Sequence, residues 1–275
     1  MYKFGLIGYP IQHSLSPWIH RQFFERTNLE GTYDIYEIDI HASFDEKIAS
    51  LKEMQLDGFN VTAPYKETII PFLDGLDEQA SIIGAVNTVL NKNGKWYGFN
   101  TDGAGYVRSL LSKYPILANQ KNEAVLLLGA GGACKGIYNA LIKEGFTNIT
   151  IANRTLEKAV NIIGQRYGNV MTIEEASQNI HSFPLIIQTT SVGMKPSTDR
   201  MVIKLKNVHE KAIVSDIVYQ PLETAFLQRA KQLGASIHFG HTMLLYQAQY
   251  AFEIWTNTTP KMDQLDAQLE KKLEG

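Results

Sequence analysis

The stretch Val125–Gly136, VLLLGAGGACKG, limits the possible fold more than any other. Four apolar residues predict a short buried strand, the glycines predict a tight turn, and the amphipathic run Lys135–Glu144 predicts a helix entered from that turn. Glycines at 129 and 131 let the main chain come close to a pyrophosphate, whose charge a helix N-terminus favours. The expected cofactor contacts of the turn are Gly129, Ala130, Gly131, Gly132 and Ala133. A third glycine of the dinucleotide pattern would fall at 134, where the chain has Cys134, small enough for close helix packing. On its own the pattern also fits a flavin, a methyl donor or a plain strand-to-helix connection.

The next unit narrows this. Asn148–Asn153 predicts a second parallel strand ending about twenty residues past the glycines, where a dinucleotide's ribose is read. An NAD site usually places a carboxylate there, but this chain has Asn153-Arg154-Thr155. A guanidinium can fork onto a 2'-phosphate, so NADP is expected over NAD, with Asn153, Arg154, Thr155 and Lys158 as contacts. The plainer reading is a solvated Arg154 with Thr155 capping a helix Leu156–Tyr167.

The 275 residues are 44% hydrophobic and 20% charged, enough for two medium α/β domains. With 26 Lys and Arg against 28 Asp and Glu, the net charge of −2 supplies no field for nucleic acid or a membrane surface, which points to a small ligand. One cysteine forms no internal disulfide, and the seven histidines show no close ligand pair, so no metal is expected. Without a leader pattern or a long apolar run, the expected location is the cytoplasm.

From the N-terminus, Tyr2–Gly8 predicts a buried strand, followed by the loop Tyr9–Ser16 and a helix Pro17–Arg26, with Ser16 before Pro17 as a capping start. Strands are expected at Thr32–Asp39 and Gly58–Thr62, a helix at Phe44–Met54, and a helix opening at Pro64-Tyr65-Lys66 and running to Ile70. The β-α-β-α-β order brings Ser14, Ser16, Asn60, Thr62 and Lys66 to one sheet edge, as candidate substrate contacts. Asp77–Ile83 reads as a helix and Val86–Asn100 as a hairpin turning at Asn93-Gly94, which makes the first sheet mixed. Asp102 reads as a possible N-cap of the helix Gly103–Ser112.

Beyond Arg154, a helix is expected at Ile173–Asn179, strands at Leu185–Thr189, Ala212–Asp216 and Ser236–Phe239, and a helix at Glu223–Leu233. In a parallel doubly wound sheet, the strand ends carrying Thr190, Ser191, Ile217 and Tyr219 share the edge of the Gly129 turn. The apolar helix Thr242–Thr256 and the charged helix Lys261–Leu273 are assigned to the first domain. Gln247 then either enters a cleft or pairs within the core.

Seven segments in order resemble shikimate dehydrogenases: Ser14-Leu15-Ser16-Pro17; Asn60-Val61-Thr62 with Pro64-Tyr65-Lys66; Gly84-Ala85-Val86-Asn87-Thr88; Asn100-Thr101-Asp102-Gly103; Gly129-Ala130-Gly131-Gly132-Ala133; Asn153-Arg154-Thr155; and Gly240 with Met243-Leu244 and Gln247. The resemblance implies an N-terminal mixed-sheet α/β substrate domain completed by C-terminal helices (1–102 with 241–275) and a Rossmann-like doubly wound NADP domain (103–240). It implies NADP-dependent, reversible reduction of 3-dehydroshikimate to shikimate in the route to chorismate and the aromatic amino acids, by a monomer or homodimer. Lys66 and Asp102 resemble the catalytic pair; Ser14, Ser16, Thr62, Asn87, Tyr219 and Gln247 resemble substrate contacts. Gly240 resembles a cofactor contact, and Glu78, Ile217 and Met243 match positions near the nicotinamide. Ala63 and the run Phe239-Gly240-His241-Thr242 depart from the family's common pattern. The alternatives are a quinate/shikimate dehydrogenase or, in another class, a non-catalytic nucleotide sensor of the same fold.

Overall fold

The computed structural model describes residues 1–274. Contacts within the chain divide it into two compact units, Met1–Gly105 with Leu245–Asp263, and Tyr106–Leu244 with the residues from Gln264 on.

The first unit opens with strand β1 (Tyr2–Gly8), helix α1 (Ser16–Thr27), β2 (Gly31–Glu37), α2 (Phe44–Glu53) and β3 (Gly58–Val61). A two-residue strand β4 (Gly75–Leu76) precedes α3 (Glu78–Ile83), whose first turn is capped by the Asp77 carboxylate accepting from the Gln79 and Ala80 N–H groups. The hairpin β5 (Thr88–Lys92) and β6 (Lys95–Phe99) turns through Asn93 and Gly94, at φ 56° and 81°, the pair of positive angles a two-residue hairpin requires. The sheet order is β2-β1-β3-β5-β6-β4, and β5 alone runs against the others. This single reversal matters for function: the start of β5 lies on the same edge as the ends of β1, β3 and β6.

Helix α4 (Asp102–Lys113) leads into the second unit, whose elements are β7 (Val125–Leu128), α5 (Gly132–Lys143), β8 (Ile149–Ala152), α6 (Leu156–Ile163), β9 (Asn169–Met171), α7 (Ile173–Asn179), β10 (Leu185–Gln188), β11 (Ile213–Asp216), α8 (Ala225–Gln232) and β12 (Ser236–His238). All six strands are parallel in the order β12-β11-β10-β7-β8-β9, a doubly wound sheet whose order reverses between β7 and β10. Alternate residues enter opposite cores: Val125 and Leu127 pack with Ile187 on one face, Leu126 and Leu128 with Ile186 and Val214 on the other. Cys134 is fully buried in the first of these cores, where burial pushes its thiol up to about 12.

Helix α9 (His241–Thr256) returns the chain to the first unit, and α10 (Leu265–Glu274) ends it. From α9, Phe252 and Trp255 enter an aromatic cluster: the Trp255 ring lies 4.4 Å from Phe4, and its Nε1–H donates to the Val89 carbonyl at 2.9 Å.

Several expectations are corrected. The expected helix from Pro64 to Ile70 is a series of turns ending in a 3-10 turn, Ile70–Phe72. Pro71 has no N–H to continue an α-helix and its ring would meet the carbonyl four residues back. Ser16 is the first residue of α1 rather than its cap, since Leu15 holds the cap position. Helix α5 begins at Gly132, three residues before the amphipathic run, and α6 stops at Ile163 instead of Tyr167, where Gly164 takes φ 60°. At the C-terminal end the contact division places residues 241–244 and those from 264 with the second unit. His241 Nε2 and Asp266 Oδ1 lie 2.7 Å apart, and Met243 packs on that unit's core.

Candidate active site

The sheet edge of the first unit collects the polar residues. Asn87 precedes β5 and Asp102 follows β6; Thr62 follows β3, and the Val61 N–H donates to the Asn87 carbonyl at 2.9 Å. Lys66 Nζ lies 2.6 Å from Asp102 Oδ2, with side chains 33% and 23% exposed. The other Asp102 oxygen accepts from Asn87 Nδ2 at 2.9 Å, so one carboxylate orients an ammonium and an amide together. Asn87, only 2% exposed, also donates to Thr101 Oγ1 and to Gln247 Oε1 and accepts from the Thr101 N–H. Gln247 thus joins the network by side chain, and by main chain through Thr101 Oγ1 to its carbonyl at 3.0 Å.

Ser14 and Ser16 form a second group after β1. Ser14 Oγ donates to Ser16 Oγ and accepts from the Ser16 N–H, both at 3.2 Å. Sequence reasoning missed what holds this loop. Glu37, at the end of β2, accepts from the Ile11 N–H at 2.7 Å and from Gln12 Nε2 at 3.2 Å, which keeps its carboxyl below the usual range. The Ile11 carbonyl in turn accepts from the Ser14 N–H.

Asn60 serves the interior. Its amide donates to the Asn87 carbonyl and Thr88 Oγ1 and accepts from Tyr33 Oη at 2.7 Å, all buried. It holds Asn87 from behind. Glu78 is exposed at the start of α3 in the first unit.

In the second unit, the turn after β7 meets the turn after β10 where the strand order reverses. Gly129 has φ 108°, and a Cβ there would lie 2.4 Å from the Thr190 methyl, so glycine is required on both counts. Ala130, Gly131, Asn153, Arg154, Thr155, Lys158, Thr189, Thr190 and Ser191 line a cavity of about 360 Å3. Gly131 and Gly132 open α5, and beyond the adjoining backbone nothing lies within 4 Å of where a Cβ would stand, leaving the helix N-terminus open. The lining holds two cations and no carboxylate, the donor set a 2'-phosphate requires. These residues fit NADP. Thr155 holds the N-cap position of α6 without a side-chain capping bond.

Ile217 and Met243 lean on the unit's core, and Tyr219 is 38% exposed beyond β11. Gly240 passes against main chain: a Cβ there would stand 2.4 Å from the Ile217 carbonyl oxygen and 2.7 Å from that of Val218. Among the described residues no group of three or more His, Cys, Asp or Glu is placed to hold a metal ion, and no helix is long and apolar enough to cross a membrane.

Comparison with known proteins matches three family signatures along the chain: the shikimate dehydrogenase substrate binding domain over residues 6–89, shikimate / quinate 5-dehydrogenase over 113–221, and the shikimate 5'-dehydrogenase C-terminal domain over 240–269. A curated shikimate dehydrogenase (NADP(+)) of Oceanobacillus iheyensis is 55% identical over 271 residues, 98% of each chain. The chain belongs to the shikimate dehydrogenase family. Another member so named, from Staphylococcus epidermidis, is 43% identical over 99% of each chain. Among solved structures, the shikimate 5-dehydrogenase of Thermus thermophilus in complex with NADP(H) and shikimate superposes with a TM-score of 0.84, at 30% identity, over 100% of this chain and 99% of that one. The two-domain α/β architecture is that of shikimate dehydrogenases.

Proposed function

We propose that Lys66 and Asp102 are the catalytic pair with which this chain, an NADP-dependent oxidoreductase, interconverts 3-dehydroshikimate and shikimate in aromatic biosynthesis. The observation that carries the assignment is the 2.6 Å contact between Lys66 Nζ and Asp102 Oδ2, anchored by Asn87 on the second carboxylate oxygen.

The chemistry supplied by bound NADP is hydride transfer. The residues that would hold it are those around Arg154 and the Gly129 turn. Reduction of a ketone places negative charge on its oxygen, and a proton must reach that oxygen. Lys66 has three N–H donors; one is taken by Asp102, and another donates to the developing alkoxide and delivers its proton. In the reverse direction Lys66 accepts the hydroxyl proton. Asp102 keeps the ammonium in place and accepts from a neighbouring substrate hydroxyl. Ser14 and Ser16 receive the substrate carboxylate; Thr62, Asn87 and Gln247 bind ring hydroxyls. Such a site rejects analogues that lack a hydroxyl, because its own polar groups would be left unpaired.

The domain roles follow: the first unit binds substrate and the second binds NADP, with Ile217, Gly240 and Met243 serving the nicotinamide end. The enzyme works in the cytoplasm as a monomer or homodimer. The test follows the near-ultraviolet absorbance of the reduced cofactor with shikimate or quinate and NADP or NAD. Reduction with shikimate and NADP that is abolished in Lys66→Ala supports the assignment; Lys66→Ala turning over like the parent removes it.

A further inference from the structure

The second unit holds a buried carboxylate for which the site described so far has no use. Asp216, the last residue of β11, is 0% exposed. Its Oδ1 accepts from the Val218 N–H at 2.9 Å and from Gln188 Nε2 at 3.1 Å, and its Oδ2 accepts from Thr224 Oγ1 at 2.7 Å. All three partners are donors, so an acceptor-only side chain is what the position demands. Burial pushes the carboxyl up to about 6, against the pull of these bonds.

The partners share a location. Gln188 ends β10, is itself 0% exposed, donates to the Val192 carbonyl at 3.0 Å and accepts from the Thr190 N–H. Gln188, held by Asp216, therefore bonds both ends of the turn at residues 190–192. Thr190 and Ser191 line the Arg154 cavity, and the Thr190 methyl is the group that forces glycine at 129. On its other side Asp216 holds the Val218 N–H, next to the carbonyls against which Gly240 passes. Thr224 completes the arrangement as the cap of α8, its Oγ1 accepting from the Leu227 N–H.

We propose that Asp216 is the positioning residue of the dinucleotide pocket: through Gln188 it sets the Thr190–Val192 turn, and through Val218 it sets the segment that Gly240 crosses. It acts through these loops and touches no reacting atom. The inference rests on the reading that NADP occupies the Arg154 cavity and goes beyond it, since neither Asp216 nor Gln188 lines that cavity.

The experiment measures the NADP dissociation constant of folded protein, with KM and kcat, for Asp216→Ala, Asp216→Asn, Gln188→Met and Arg154→Ala. Asp216→Ala and Gln188→Met are expected to raise the NADP constant by about tenfold or more, as loss of a buried charged hydrogen bond does, with kcat at saturating NADP within about threefold. Asp216→Asn keeps one oxygen for Val218 and Gln188 and restores binding to within about threefold. If Asp216→Ala does not fold, Gln188→Met decides, because it removes the connection from Asp216 to the turn and leaves the Asp216 bonds to Val218 and Thr224 in place. NADP binding within about twofold of the parent in Gln188→Met and in whichever Asp216 variants fold, with lower thermal stability alone, overturns the inference. Arg154→Ala separates the two readings: NADP affinity lost there but kept in the others removes the Asp216 role only, whereas affinity kept in Arg154→Ala removes the cavity assignment and the inference with it.

Discussion

The first unit makes its polar edge from side chains that hold one another: Asp102 orients Lys66 and accepts from Asn87, and Asn87 reaches Thr101 and Gln247. The second makes its cavity where loops meet, at residues 130–131, 153–155 and 189–191 with Lys158, the approach of the first and last allowed by Gly129 and the last braced from behind by Gln188 and Asp216. A small polyhydroxylated acid presents many directional groups that only side chains can match one by one. A dinucleotide presents phosphates, which are served well by N–H groups and cations at a helix start. In the first unit, then, a single truncation should strike chemistry; in the second, it should strike affinity.

The largest effect tests the first half of that statement. Lys66→Ala should lower kcat by about 100- to 10,000-fold, the range for a positioned proton donor, with the NADP dissociation constant unchanged. Equal losses in both would erase the contrast. Next, Arg154→Ala should raise the KM for NADP by about ten- to a hundredfold, the value of one or two charged hydrogen bonds, while sparing NAD. Steady-state kinetics with both cofactors reads this directly. Gly129→Ala should weaken NADP binding by about tenfold and lower the melting temperature, since a Cβ meets Thr190 and the backbone angle is one that side chains disfavour. An unchanged melting temperature would mean the turn yields more easily than the contact distance implies.

The smallest effect sets one buried histidine of each unit against the other. His20, fully buried and stacked on Tyr33 at 4.2 Å, has no partner for either ring nitrogen among the described residues. His238 lies within hydrogen-bonding distance of Ser215, Ser109 and Thr242. Burial pushes His20 down to about 3 and His238 to about 4, from an ordinary value of 6.5. Between those values and 6.5 the unfolded chain binds more protons than the folded one. Stability should therefore fall as the pH drops through that window, by up to about 1.4 kcal/mol per pH unit for each histidine. His20→Leu should flatten this slope with little change at pH 8. His238→Leu should flatten it too, but lose about 1–3 kcal/mol at every pH because its hydroxyl partners are left unpaired. Urea unfolding across pH distinguishes the pair.

Local patterns made much of this legible in the sequence. The Gly129 turn, the Asn93-Gly94 hairpin and the carboxylate-free end of β8 at Arg154 each depend on residues adjacent in the chain. Failures occurred where a distant or opposing constraint prevailed. Pro71 cut short the helix expected to open at Pro64 and run to Ile70. Strands as short as β4 and β9 carry too few residues to show a period. Asn60 reads as a ligand group from its place at a strand end, yet Tyr33, Thr88 and the Asn87 carbonyl take up its amide. Gln188, Asp216 and Glu37 read as ordinary strand residues, because their partners come from other loops.

The return of α9 to the first unit has a consequence for biosynthesis. Trp255 meets Val89 across 166 residues and Gln247 meets Asn87 across 160, so both partners emerge from the ribosome only after all six strands of the second sheet. The strands of the second sheet can pair as they emerge, while the N-terminal sheet waits with its Phe4 face uncovered. A nascent chain stalled before Leu245 would thus carry a nearly finished nucleotide module behind a substrate module still lacking its final helix, and in the cell it is that early segment that chaperones would be called on to shelter.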